Sequence, residues 1–166
     1  MNAEIDGPLT YRKSTLQDGP GVWSLVKNSG VLDVNSSYCY LLLCQDFADT
    51  CVVAEMDGKL VGFVTAYRPP TRNDVLFVWQ IGVDGAARGR GVASTLLDTL
   101  LSLDACRDIS YIETTISPSN GPSRALFQSL ARRLEVEIAE HDGFAKELFP
   151  EGGHEPEHLF RLGPLN

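Results

Sequence analysis

Basic residues are scarce in this chain. Fourteen Lys and Arg stand against 22 Asp and Glu, and the formal net charge is −8. A nucleic-acid partner needs a basic face, so that class is set aside. The same acidity can steer a cationic substrate, although it also serves plain solubility. Long apolar runs are missing too: Leu41–Cys44 and Cys51–Ala54 are far shorter than the roughly 20 residues that span a bilayer. No membrane association is expected. The opening Met1–Asp6 shows no basic region followed by an apolar core, so no secretory signal is expected and a cytoplasmic location is. The four cysteines (Cys39, Cys44, Cys51, Cys106) form no Cys-x-x-Cys pair, which argues against a zinc site or a disulfide framework and for reduced thiols.

What remains is ordinary enough to build a core. With 166 residues and 43% hydrophobic content, the chain suits one domain over 1–166, and it shows no repeat, low-complexity tract or linker. Leu9, Tyr11 and Lys13 mark a first strand. Asp18 and Pro20 open a helix carrying Trp23, Leu25 and Val26, and Asn28-Ser29-Gly30 ends it. After the link Val31–Val34, the run Asn35-Ser36-Ser37 caps a second helix with Tyr38, Leu41 and Leu42. Cys51–Met56, Asp57-Gly58 and Lys59–Tyr67 form the strongest hairpin signal in the chain. A third antiparallel strand ends at Val83. The helix that follows it and the strand Ile109–Ile116 make a β–α–β unit, hence a parallel neighbour. A helix from about Pro122 to Arg133, a strand around Val136–Glu140, a loop-rich stretch from His141 to Glu157 and a last short strand at Leu159–Leu162 complete the order β-α-α-β-β-β-α-β-α-β-β.

The chemistry concentrates between the third strand and the third helix, at Asp84-Gly85-Ala86-Ala87-Arg88-Gly89-Arg90-Gly91-Val92-Ala93. A glycine-rich turn at a helix start leaves backbone N–H groups unpaired, and the helix dipole adds positive potential, so the turn suits a phosphate or pyrophosphate. Gly89 and Gly91 lack a Cβ and let an anion close to the backbone. No Gly-Lys-Ser/Thr follows, which excludes a Walker loop, and the Gly-x-Gly-x-x-Gly dinucleotide spacing is absent. An ordinary tight turn is the plain alternative.

Arg88-x-x-Gly91-x-Ala93 after a strand resembles the acetyl-CoA pyrophosphate loop of the GCN5-related N-acetyltransferase (GNAT) superfamily. Asn120-Gly121-Pro122-Ser123-Arg124-Ala125-Leu126-Phe127 resembles that family's second cofactor segment, and the element order matches over nearly the whole chain. The resemblance implies an α/β (α+β) GNAT fold, with a mixed, mostly antiparallel twisted sheet of six to seven strands flanked by about four helices. It implies acetyl-CoA as cosubstrate, held by Arg88, Gly89, Arg90, Gly91, Val92 and Ala93, by the backbone of Ile81 and Val83, and by Asn120, Ser123 and Phe127. Asn120 would serve equally as a helix cap. Many members carry Tyr where this chain has Phe127, and Phe cannot protonate a leaving thiolate.

Three stretches are similar to the L-2,4-diaminobutyrate N4-acetyltransferases of ectoine synthesis, an osmoadaptation pathway: Gly30–Tyr40, Val78–Val83 and His154–Arg161. This resemblance, and nothing in composition or periodicity, implies the substrate. Such an enzyme must hold the α-amino and carboxyl groups so that only the distal amine reaches the thioester, and it must take a proton from that amine. On this reading Asp33 binds an ammonium or accepts the proton, and Tyr38 orients substrate or acts as an acid. Trp79 forms a wall or cation–π face. Of the charged residues His154, Glu155, Glu157 and His158, the first two above all are expected to face the acceptor, with Glu157 a further substrate-binding candidate and Glu155 a second catalytic carboxylate. Core packing for Trp79 and Tyr38, and solvated loops for the charged residues, are the bland alternatives. His154-Glu155-Pro156-Glu157-His158 also has the His-Glu-x-x-His order, but Pro156 disfavours the helix a zinc protease needs, and no metal is expected. The resemblance further implies a homodimer. Direct transfer in a ternary complex is expected, because no cysteine sits in a recognisable nucleophile motif. A GNAT for another small amine, or an acetyl-CoA-binding domain without activity, are the competing functions.

Overall fold

In the computed structural model, residues 6–166 are described, and the Met1–Ile5 part of the segment used above to judge a secretory signal lies outside them. The fold is mixed α/β, a seven-stranded sheet with four helices. It divides into two compact units: the chain up to Tyr67 together with Gln80–Arg107, and Arg68–Trp79 together with Asp108–Asn166.

The first unit holds β1 (Leu9–Lys13), α1 (Gly19–Ser29), α2 (Ser37–Asp46), β2 (Cys51–Met56), β3 (Lys59–Tyr67), the last residues of β4 (Val75–Val83) and α3 (Val92–Ser102). β1 pairs antiparallel with β2, and β2 with β3. The hairpin forms where expected because Asp57 (φ 52°) and Gly58 (φ 73°) both accept the positive φ of a two-residue turn whose twist matches the strands. Asp18 fixes the entry to α1: it takes two bonds from the Arg12 guanidinium, at 2.7 and 2.9 Å, and one from the Thr15 N–H at 2.7 Å. Gly30, at φ 69°, ends α1. The Ser36 hydroxyl caps α2 by accepting from the Cys39 N–H at 3.3 Å. Val22 and Val26 of α1 and Tyr40, Leu43 and Cys44 of α2 close over Val53 and Phe63. α3 buries Val92, Leu96, Leu97 and Leu100, a spacing that follows the helical period, with each side chain worth about 1.5–3 kcal/mol on burial.

The second unit holds the first five residues of β4, β5 (Tyr111–Ile116), α4 (Gly121–Leu134), β6 (Ile138–Phe144) and β7 (Glu157–Leu162). β4 and β5 run parallel from Val75–Tyr111 to Val78–Thr114, and β7 lies antiparallel to both β5 and β6. Glu113 is wholly buried yet paired: Arg72 reaches it at 2.7 Å and Arg161 at 3.2 Å. Two expectations need correction here. His141–Phe144 is strand rather than loop, and a register shift between His141 and Phe144 breaks the alternation that would have revealed it. Glu157 and His158 likewise open β7 instead of lying in a loop.

Candidate active site

Val83 leads into a short 3-10 turn, Gly85–Ala87, whose first N–H groups are tied down locally: the Asp84 carboxylate accepts from the Ala86 N–H at 2.8 Å. Gly89 (φ 76°) and Gly91 (φ 73°) then turn the chain through left-handed backbone, where a side chain would be strained. At neither glycine would a Cβ meet any atom within 4 Å. The space over the turn is therefore open, and glycine is required by φ rather than by crowding. α3 starts at Val92 with no side-chain cap. Its first internal bond runs from the Thr95 N–H to the Gly91 carbonyl at 3.0 Å, which leaves the amides of Val92, Ala93 and Ser94 pointing out of the helix start. A cleft of about 220 Å³ lies there, lined by Val83, Ala87, Arg88, Gly89, Gly91 and the first turn of α3. These features fit an anionic pyrophosphate. Arg88 is exposed at the cleft. The Arg90 guanidinium turns to the Met56 sulfur at 2.8 Å and the Gly7 carbonyl at 3.3 Å, so its side chain is engaged with the β1–β2 side of the unit.

Also in the first unit, the α1–α2 link carries Asp33, exposed, and leads to Tyr38, which is 67% exposed on the first turn of α2. Tyr38 is therefore not the core residue of α2. That place belongs to Tyr40, which is fully buried. The Tyr40 hydroxyl donates to Gln80 Oε1 at 2.9 Å, and Gln80 Nε2 donates to the Asp33 carbonyl at 2.9 Å. Neither Gln80 nor Tyr40 is a residue that the sequence motifs single out. A polar side chain inside the apolar strand Val75–Val83 was the available signal.

In the second unit, Trp79 is 37% exposed on β4, more open than a core tryptophan. Asn120 caps α4, its Oδ1 accepting from the Ser123 N–H at 3.1 Å. Phe127 is buried on the inner face of α4. His154 stacks on Phe149 with ring centroids 3.8 Å apart. The Glu155 carboxylate accepts from the Ser119 hydroxyl, which ties the β6–β7 connection to the β5–α4 loop. His158 is drawn elsewhere, to Glu140 at 2.9 Å, where Arg124 also binds at 3.0 Å. Those two partners, Arg124 foremost, hold the Glu140 carboxyl down at about 2. So Glu155 and Ser119 are brought together, whereas Glu157 and His158 are built into a strand.

Three of the cysteines are poor nucleophiles. Burial pushes the Cys44 thiol up to about 11 and the Cys51 thiol up to about 12, and burial raises Cys39 as well. All four are free. Among the described residues no helix is long and apolar enough to cross a membrane.

Comparison with known proteins sets these features in a family. The sequence model of the acetyltransferase (GNAT) family matches residues 23–131. An L-2,4-diaminobutyric acid acetyltransferase from Marinococcus halophilus is 50% identical over 164 residues, covering 99% of this chain and 94% of its own. The protein of the same name from Streptomyces coelicolor is 49% identical over 160 residues, covering 95% of this chain and 94% of its own. Among solved structures, the diaminobutyrate acetyltransferase EctA from Paenibacillus lautus, in complex with its substrate L-2,4-diaminobutyric acid and coenzyme A, matches with a TM-score of 0.92 and 43% identity over 95% of this chain and 96% of its own. Ard1 from Thermoplasma volcanium, at 18% identity and a TM-score of 0.73 over 93% of this chain and 97% of its own, shares the fold.

Proposed function

This chain belongs to the acetyltransferase (GNAT) family, and on that premise we propose that it moves the acetyl group of acetyl-CoA to the N4 amine of L-2,4-diaminobutyrate, the acetylation step of ectoine synthesis. One observation carries the reading: the uncapped start of α3 behind two left-handed glycines, with an open cleft of about 220 Å³ over it, in a chain half identical to named diaminobutyrate acetyltransferases. Arg88, Gly89, Gly91, Val92 and Ala93 receive the pyrophosphate, Arg90 adds its backbone, and Ile81 and Val83 bond the pantetheine amides. Asn120, Ser123 and Phe127 form the second cofactor segment, with Asn120 capping α4 at the same time.

In the reaction, N4 gives up a proton and attacks the thioester carbonyl carbon. A C–N bond forms, the C–S bond breaks, and the thiolate takes a proton. Asp33 holds an ammonium group or accepts the proton. Glu155, oriented by the Ser119 hydroxyl, is the second carboxylate. Tyr38, whose ring stands open to solvent, orients the substrate and can reprotonate the thiolate, a role closed to Phe127. Trp79, His154 and Glu157 line the acceptor side. Transfer is direct in this reading: no cysteine sits in a nucleophile motif, and burial raises the thiols of Cys39, Cys44 and Cys51.

One domain over 1–166 is part of this reading. A homodimer follows from the family resemblance, and light scattering at twice the chain mass checks it. A cytoplasmic, reducing location suits four free thiols. The activity is tested by thiol release from acetyl-CoA with L-2,4-diaminobutyrate, ornithine, lysine, spermidine and an aminoglycoside in parallel, with NMR to locate the acetyl group. Preference for diaminobutyrate with acetyl on N4 is expected. Turnover on another amine would discard the substrate, and binding without turnover would leave a non-catalytic acetyl-CoA domain.

A further inference from the structure

The α1–α2 link is irregular, and its Asp33 is exposed. Exposed loop backbone is ordinarily the mobile part of a fold. Here it is held down by a closed set of hydrogen bonds. Gln80 Nε2 donates to the Asp33 carbonyl at 2.9 Å. A carbonyl only accepts, so the orientation of the amide is fixed and its Oε1 faces Tyr40. The Tyr40 hydroxyl must then donate to Oε1, which it does at 2.9 Å, and its oxygen accepts from Asn35 Nδ2 at 3.2 Å. Asn35 Nδ2 also lies 3.5 Å from the Asp33 carbonyl, which closes the ring.

Gln80 Nε2 and the Tyr40 hydroxyl each donate to one acceptor, and Asn35 Nδ2 donates to two, the Tyr40 oxygen and the Asp33 carbonyl, so the four groups support one another. Tyr40 is fully buried and Gln80 is 7% exposed, and such polar groups are costly to leave unpaired. The anchor itself is rigid. Thr65 Oγ1 accepts from the Gln80 N–H at 3.2 Å and lies 3.4 Å from its carbonyl, so backbone and side chain are both held. Two residues on, Gly82 completes the hold. A Cβ there would sit 2.7 Å from Phe63 and 3.0 Å from the Leu32 side chain, so glycine is what lets Leu32 settle beside Asp33.

We propose that Gln80, pinned by Tyr40 and Asn35, is a positioning residue for the acceptor amine: it fixes the backbone at Asp33 and thereby the carboxylate that meets the substrate's ammonium. The proposal rests on the role given to Asp33 above. Gln80 touches neither substrate nor cofactor in this role. It acts through Asp33, so its loss weakens the acceptor and spares acetyl-CoA.

The test is a double-mutant cycle on the full chain, with Gln80→Met, Tyr40→Phe, Asp33→Ala and the double variant Gln80→Met/Asp33→Ala. Steady-state kinetics with diaminobutyrate, calorimetric titration with acetyl-CoA and thermal melting are read for each. Expected are a rise of about tenfold in KM for diaminobutyrate in Gln80→Met and a smaller rise in Tyr40→Phe, with acetyl-CoA affinity unchanged. Adding Gln80→Met to Asp33→Ala should cost less than about twofold, because the group it positions is gone. Wild-type KM in Gln80→Met and Tyr40→Phe, alongside a large loss in Asp33→Ala, overturns the positioning role and leaves the Asp33 assignment standing. Wild-type kinetics in Asp33→Ala removes Asp33 from the site and this inference with it. Additive losses, or acetyl-CoA affinity and diaminobutyrate KM failing together with the melting temperature, reduce Gln80 to a structural residue. Tyr40→Phe keeps the ring that fills the core, so it decides the matter if Gln80→Met does not fold.

Discussion

Replacing Gly91 by Glu separates what the turn does for folding from what it does for binding. Gly91 has φ 73° and open space where a Cβ would go. Any side chain there meets strain but no clash, a cost of about 1–2 kcal/mol for left-handed backbone. For a chain of this size that lowers the melting temperature by roughly 2–8 °C. The carboxylate adds a second effect. It would stand at the uncapped start of α3, where the pyrophosphate is expected. Two like charges about 4 Å apart at an effective dielectric of about 20 repel by about 4 kcal/mol, roughly a thousandfold in Kd. Screening by physiological salt trims this, and about a hundredfold should survive. Calorimetric titration with acetyl-CoA reads the affinity and differential scanning fluorimetry the stability. Gly91→Ala is the control: it should show the melting shift with a far smaller loss of affinity. If Gly91→Glu melts as expected yet binds acetyl-CoA like the parent, the anion does not sit at this turn and the cofactor assignment fails.

Phe127→Tyr should lower the melting temperature without raising kcat, since the hydroxyl enters a fully buried site at a cost of about 1–3 kcal/mol; a large gain in kcat would mean a missing acid at that position was limiting. Glu113→Ala removes the acceptor shared by Arg72 and Arg161; because both arginines are about a third to a half exposed, a loss of about 2 kcal/mol, or roughly 4–8 °C, is expected in thermal melts, and an unchanged melt would show the buried ion triad to be neutral. Cys44 and Cys51 should resist iodoacetamide at pH 8 in native protein and react on unfolding, as followed by intact mass. Their folded pKa values are raised to about 11 and about 12, against roughly 8.5 when unfolded. The stability they contribute is thus full below about pH 8.5 and is lost as pH rises toward those values, so Cys51→Ala should flatten the alkaline fall in melting temperature.

The parts of this fold that could be read from sequence are the parts set by near neighbours. Asp57-Gly58 fixed its hairpin to the residue because two consecutive positive φ angles are a local demand. Val92, Leu96, Leu97 and Leu100 declared α3 by period, and Gly89 with Gly91 declared the turn before it. What stayed hidden depends on distant partners or broken periodicity. His141–Phe144 reads as loop because Asp142-Gly143 looks like a turn, and only its pairing with β7 across the register shift makes it strand. Gln80 and Tyr40 are 40 residues apart, and no local pattern marks them as partners. In α2, helical spacing offers Tyr38, Leu41 and Leu42 as the apolar face. The structure instead buries Tyr40, Leu43 and Cys44 and leaves Tyr38 exposed.

In the proposed function two different problems of recognition meet two different materials. A pyrophosphate is large, charged and always the same, so backbone amides at a helix start suffice, and their geometry comes with the turn itself. The acceptor is small and carries two similar amines, and choosing the distal one depends on where individual side chains stand, within a fraction of an ångström. Such side chains placed on irregular segments need something that regular secondary structure supplies for free. In the site proposed above, the Gln80–Tyr40–Asn35 ring and the Leu32–Gly82 contact would supply it for Asp33, and the Ser119 hydroxyl for Glu155. On this view substitutions in the glycine turn change cofactor affinity for every acceptor alike. Substitutions in the supports weaken the acceptor and spare acetyl-CoA, even though the supports touch no substrate.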